Sequence, residues 1–267
     1  MFLATLIAAT ALILPQGGTN ILEVGELGIN APVSSVIFDG KPVPVFKRSG
    51  KTYLLLMADV GKPAGAYLLR ISHGQECADI PVLVQPGNFR TIRKKATYKP
   101  LALPPKVRAL KEAERQPMLQ ALKQGEPGRI WRNIFCPPLS TSRVSGEFGL
   151  RRAYRNHVST HRGVDLVPES SLVARAISDA RVLWAEDREL YLEGKIVVLD
   201  HGQGILSLYM HLSEIRVKTG DNVTQGQTIG VVGSTGNSTG IHLHLAIIAG
   251  GAHVDPLKFI EAFQNLK

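Results

Sequence analysis

Cysteine is scarce in this chain, and its scarcity removes two classes of protein. Only Cys77 and Cys136 stand in 267 residues, too few for a disulfide framework. Neither belongs to a CxxC pair, which argues against a zinc site built on cysteine. No HExxH occurs either, so the helical metalloprotease arrangement does not apply. Long apolar runs are also missing, with one exception. The opening stretch "MFLATLIAATALIL" carries no charge, and the first charged residue is Glu23. It is too short to span a membrane, which takes about 20 apolar residues, and no other run comes closer. It suits the apolar region of a signal peptide over residues 1–17, although it lacks a Lys or Arg leader and a clean small-x-small cleavage site. The other reading of the run is a buried strand or helix of the first domain. No cysteine follows it, so a lipid anchor is not indicated. The whole chain is 44% apolar and 20% charged, the composition of a folded globular protein, with length enough for two modest domains.

The net charge of +9 sits in one place. Residues 1–85 hold six basic and six acidic side chains, and residues 136–267 hold thirteen of each. Residues 86–135 hold twelve basic and three acidic. Proline and glycine punctuate both ends of this segment. Lys106 to Gln124 reads as helical, with Val107, Leu110, Met118, Leu119 and Leu122 apolar and Pro117 obliged to start, kink or split the helix. Residues 89–137 are therefore expected to be a basic, partly helical connector. It is either a solvated linker or an electrostatic contact with an anionic surface such as a wall polymer or a membrane face. No recognisable nucleic-acid module accompanies the charge, so no nucleic-acid partner is expected.

Both flanking regions read as β. Residues 20–88 contain short β-prone runs parted by "DGKP" and "RSGK" turn signals, the pattern of a small sandwich-like domain, and nothing in it looks catalytic. His73 lies in a turn and reads as exposed. Residues 138–267 repeat the rhythm with glycine-rich turns and hold the chemistry. Five of the eight histidines, His161, His201, His211, His242 and His244, lie here between positions 161 and 244. In a strand, residues two apart face the same way, roughly 6.5–7 Å apart, so His242 and His244 in "IHLHL" share a face. "HRGVD" adds His161 and Asp165, with Gly163 between them permitting a tight backbone. Two histidines and one carboxylate make a three-ligand set, and three protein ligands leave an open position on zinc, as catalytic rather than structural sites do.

The motifs "SGEFGLRR" (145–152), "HRGVD" (161–165), "VVLDHGQGILSLYMHLS" (197–213), "GQTIGVVGSTGNSTGIHLHL" (226–245) and "VDPLKFI" (254–260) resemble, in order and spacing, those of lysostaphin-type or LytM-domain zinc metallopeptidases. The resemblance covers residues 138–262. It implies a mainly β chain whose C-terminal domain, 138–267, is an antiparallel sheet. It also implies one Zn2+ per chain, held by His161, Asp165 and His244, with His211 and His242 as catalytic histidines beside the metal. Either of these two can serve as the base. The implied activity is endopeptidase action on the peptides of bacterial peptidoglycan, in stem-peptide cross-links or bridges. Export to the periplasm or cell envelope goes with it. Two other outcomes are a catalytically silent relative that activates a wall amidase, whose usual mark is missing ligands, and a zinc-stabilised wall-binding module.

Other residues of the region have blander readings. His201 in "LDHGQG" is expected in a strand-end turn and His253 at the surface. Asp255 in "VDP" is expected to cap a turn. His157 is a candidate for the cleft wall, and Tyr154 or Arg155 for contact with the transition state. Cys77 and Cys136 flank the connector and would fix the domains if they paired.

Overall fold

A computed structural model describes residues 11–95, 104–132 and 134–266. The first ten residues of the leader-like run and residues 96–103 of the connector lie outside these. The described residues are mainly β, with two α-helices among them, α1 (Pro105–Ala121) and α2 (Pro256–Gln264).

The N-terminal domain is a two-sheet sandwich. One sheet runs in the order Leu12–Pro15, Glu76–Gln85, Gly65–His73, Val33–Phe38, Lys41–Pro42. The other holds Thr19–Glu23, Lys51–Met57 and Val45–Arg48. Leu14, Leu69, Ile71, Ile80 and Val82 of the first face Leu54 and Leu56 of the second in one apolar cluster. Strand Leu12–Pro15 pairs parallel with Val82–Gln85, and Leu14 is fully buried. The sandwich therefore begins before residue 20 and includes residues 12–15 of the run read as a leader. For that part, the buried-strand reading is the one that describes the structure.

The run "YLLLM" in Lys51–Met57 explains how the two domains hold together. Side chains alternate along a strand, so Leu54 and Leu56 enter the sandwich core. Tyr53, Leu55 and Met57 enter the core of the C-terminal domain. There Phe46 meets Trp131 edge-on at 4.9 Å between ring centroids, and Trp131 meets Phe263 at 5.2 Å. A strand buried on both faces reads as a continuous apolar run, and here the two faces serve two cores. The connector is equally committed. Residues 91–93 form a strand, and Trp131 and Phe135 are core residues of the C-terminal domain.

The C-terminal domain is built on a ten-stranded antiparallel sheet. Its centre runs Ser142–Gly146, Val164–Pro168, Leu243–Ala249, Ile205–Ile215, Gly194–Asp200, Ala180–Leu190. One face, with Leu243, Leu245, Tyr209 and Leu212, joins the large core. The other carries Leu206, Leu208 and Ala246 under α1, whose Met118 is buried and whose Leu119 and Leu122 are partly buried against them. The helix runs through Pro117, accepting the loss of one N–H donor there. Only its second half docks, and Leu110 is left 64% exposed. Asp255 caps α2, its carboxylate accepting from the backbone N–H groups of Leu257 at 3.1 Å and Lys258 at 3.4 Å. Cys77 and Cys136 are both free and half-buried. Their thiols contact Ser72 and the Ala176 carbonyl, one in each domain.

Candidate active site

The five candidate side chains converge on the sheet face that α1 covers further along. Asp165 and His244 are register partners on neighbouring strands, which sets their side chains side by side. His161 comes from the turn just before Val164–Pro168. Gly163 lets that turn close down: a Cβ there would lie 2.5 Å from His244 Nε2 and 2.6 Å from the Leu245 carbonyl. Gly146 does the same on the other side, where a Cβ would fall 2.1 Å from Asp165 Oδ2.

His161 Nδ1 lies 2.8 Å from the Glu147 carbonyl. A carbonyl only accepts, so Nδ1 carries the proton and Nε2 turns a lone pair inward. That Nε2 is 3.1 Å from Asp165 Oδ1 and 3.1 Å from His244 Nδ1, and His244 Nδ1 is 2.8 Å from Asp165 Oδ1. Such a triangle of nitrogen and oxygen atoms suits a cation: tetrahedral zinc with bonds of about 2.0–2.1 Å sets its ligand atoms about 3.3 Å apart. Burial works against ionisation of Asp165, but the two imidazoles beside it, His161 and His244, outweigh it and hold the carboxyl well below the usual carboxylate range. Burial pushes the His244 imidazole down despite its bond to Asp165, which favours the neutral ring that ligates metal.

His211 and His242 stand next to this triangle. Their ring centroids are 4.8 Å apart, and His242 Nε2 is 3.7 Å from Asp165 Oδ1. Each has its Nδ1 pinned to a carbonyl, His211 to Thr235 at 2.8 Å and His242 to Gly240 at 2.9 Å. Each therefore keeps the proton on Nδ1 and offers Nε2 as an acceptor. His211 is 7% exposed and is pushed down to about 4, by burial first and then by repulsion from His242 and His244, against the Thr235 bond. Its backbone is the unusual one. His211 has φ +65°, a left-handed conformation uncommon outside glycine, at an irregularity in the pairing of Ile205–Ile215 with Gly194–Asp200. The His211 N–H leaves the regular ladder and donates to the Glu193 carbonyl at 2.9 Å. A strained conformation at the residue aimed into a cleft is common at functional sites.

The cleft has a volume of about 500 Å³ and is walled by Arg152, Tyr154, Ser159, Leu192, Glu193, Met210 and residues 237–239 around the five. Tyr154 is part of this wall, while Arg155 and His157 are exposed and outside it. His201 is fully buried: its Nδ1–H donates to the Asp179 carbonyl at 2.9 Å and its Nε2 faces the Ser207 hydroxyl at 2.8 Å. His253 is half-buried rather than at the surface, because its backbone N–H donates to Asp59 of the sandwich domain at 2.8 Å. Sequence reasoning missed Arg152 and Glu193. Arg152 sits inside a quoted motif without a neighbour to mark it. Glu193 is marked only by its fold contact with Arg115 of α1, 2.5 Å away.

Comparison with known proteins agrees with this geometry. Residues 159–256 match peptidase family M23, a span that includes all five side chains. The chain is 36% identical over 132 residues to the peptidoglycan DD-endopeptidase ShyC of Vibrio cholerae, covering 48% of this chain and 30% of that protein. It is 36% identical over 121 residues to the DD-carboxypeptidase/endopeptidase Mpg of Neisseria meningitidis, covering 45% of this chain and 27% of that one. The chain thus spans less than a third of the length of these curated relatives. A crystal structure of a Pseudomonas aeruginosa protein assigned to peptidase M23 superposes with a TM-score of 0.71 at 25% identity, covering 96% of this chain and 97% of that one. Through residues 159–256 the chain is similar to peptidase family M23.

Proposed function

We propose that this chain is a zinc-dependent endopeptidase that hydrolyses peptide bonds of bacterial peptidoglycan and acts outside the cytoplasm, in the periplasm or cell envelope. The observation that carries the reading is the convergence of five side chains in one cleft: three potential ligand atoms 2.8–3.1 Å apart beside two imidazoles that each turn Nε2 inward. The peptidoglycan substrate is supported by what relatives such as ShyC are named for. Export is supported by the location of that substrate.

His161, Asp165 and His244 would hold the metal. Zinc there supplies Lewis acidity, making water acidic enough to lose a proton near neutral pH and polarising a carbonyl. His211 and His242 do the proton work. One Nε2 accepts the proton of the attacking water. That proton, held on the imidazolium, is then donated to the departing amine, while the other Nε2 orients the water. Neutral rings at rest are what this requires, and burial keeps His211 neutral. The strained His211 backbone and the Thr235 and Gly240 carbonyls fix the ring orientations in advance. The exposed first turn of α1 carries Lys106 and Arg108, cations available to an anionic wall polymer.

Digestion of purified sacculi tests the reading. Zinc-loaded protein should release muropeptides. Chelator, or His161→Ala, should abolish the release. Full activity in either condition removes the assignment.

A further inference from the structure

Arg152 is a cationic side chain of the cleft that the chemistry above leaves unused. It is half-buried and lines the same cleft as His161 and His242, yet no hydrogen bond or ion pair among the described residues engages its guanidinium. Its neighbours are all committed. Arg151 points to the opposite face of the strand, over the Phe89 ring at 5.3 Å and toward Gln16 at 3.4 Å. Arg90 pairs with Glu147 at 3.2 Å. The two carboxylates of the cleft are committed as well, Asp165 to the histidines and Glu193 to Arg115.

The guanidinium is also well placed and well held. Arg152 lies on strand Arg151–Ala153, between Val158–Thr160 and the connector strand Thr91–Arg93. Its register partner Ser159 lines the cleft with it. The connector therefore builds one lip of the cleft, while α1 packs beside the other through Arg115 and Glu193. A planar cation, partly withdrawn from water and without a partner, is costly until an anion meets it, and its fork matches a carboxylate in two-point fashion.

We propose that Arg152 reads a free carboxylate on the substrate residue flanking the scissile amide, so that the cleft selects cross-links whose amine-side residue carries one. This rests on the peptidoglycan reading above. In a cross-link made through a diaminopimelate side chain, the carbon bearing the acylated amine also bears a carboxylate. In one made through lysine, that carbon bears only hydrogen.

The test uses the full zinc-loaded chain and two synthetic peptides, an acyl-D-alanyl group joined to the side-chain amine of diaminopimelate or of lysine. Wild type should favour the diaminopimelate peptide in kcat/KM by about 10- to 100-fold, the range of a charge-assisted hydrogen bond, mostly through KM. Arg152→Gln should collapse that ratio to within about threefold, and Arg152→Lys should hold an intermediate ratio because it keeps charge without the fork. Zinc content and melting temperature of each variant establish that the fold is intact. A wild-type enzyme that cleaves both peptides alike overturns the proposal and leaves the peptidoglycan reading standing. So does a ratio that survives in Arg152→Gln. A zinc-loaded wild type that cleaves neither peptide nor sacculi overturns both.

Discussion

His201 and His211 lie ten residues apart on one β-hairpin, both buried, and burial pushes both down to about 4. Their surroundings differ in one respect. His201 has both ring nitrogens satisfied, by the Asp179 carbonyl and the Ser207 hydroxyl. His211 has one nitrogen pinned by Thr235 and the other turned into a cleft. A depressed pKa is therefore no mark of function by itself, since desolvation produces it in a structural residue and a catalytic one alike. The useful distinction is the second nitrogen. All the cleft histidines whose tautomer the structure fixes, His161, His211 and His242, keep Nε2 for the cleft.

Substitutions can break that comparison at either end. The largest effect belongs to the metal triangle. His244→Ala should drop peptide hydrolysis to background, by far more than the roughly 10- to 100-fold cost of losing an outer partner of a ligand. Next comes His211→Ala, which should lower kcat by about 10²–10⁴-fold, the worth of a positioned acid or base, with the melting temperature little changed. Steady-state kinetics on a cross-linked peptide reads both.

His201→Gln should do the reverse, keeping kcat within a few-fold and lowering stability by about 1–3 kcal/mol through imperfect replacement of buried hydrogen bonds. The pH dependence sharpens the point. Unfolded His201 takes a proton below about 6.5, whereas the folded one takes it only below about 4. Between these values the unfolded state binds more protons, so stability falls as pH falls, by up to about 1.4 kcal/mol per pH unit. Denaturant melts of wild type and His201→Gln between pH 7 and pH 4 should show the shallower slope in the variant. Equal slopes would mean that His201 is not the group being titrated.

The site was more legible in the sequence than the fold around it. Same-face spacing put His242 and His244 together, and "HRGVD" supplied a turn tight enough to bring His161 to Asp165. The left-handed backbone of His211 left no such trace, because strain of that kind is imposed by strands that part company around it. Arg152 was invisible for a similar reason. In "GLRR" only the alternation of a strand whose limits were unknown separates the guanidinium that packs on Phe89 from the one that faces the cleft. The connector misled most. Its basic composition reads as solvent-facing, yet Arg115 pairs with Glu193, and Trp131 and Phe135 fill the C-terminal core. In the opening run, an apolar β-prone segment suits an export leader and a buried strand equally, and only pairing with Val82–Gln85 shows which use residues 12–15 have.

The division of labour within "HLH" is the centre of this account, and metal analysis of two variants tests it most directly. Purified His242→Ala should retain one zinc per chain while His244→Ala retains none. Loss of zinc from both, or from neither, would contradict it.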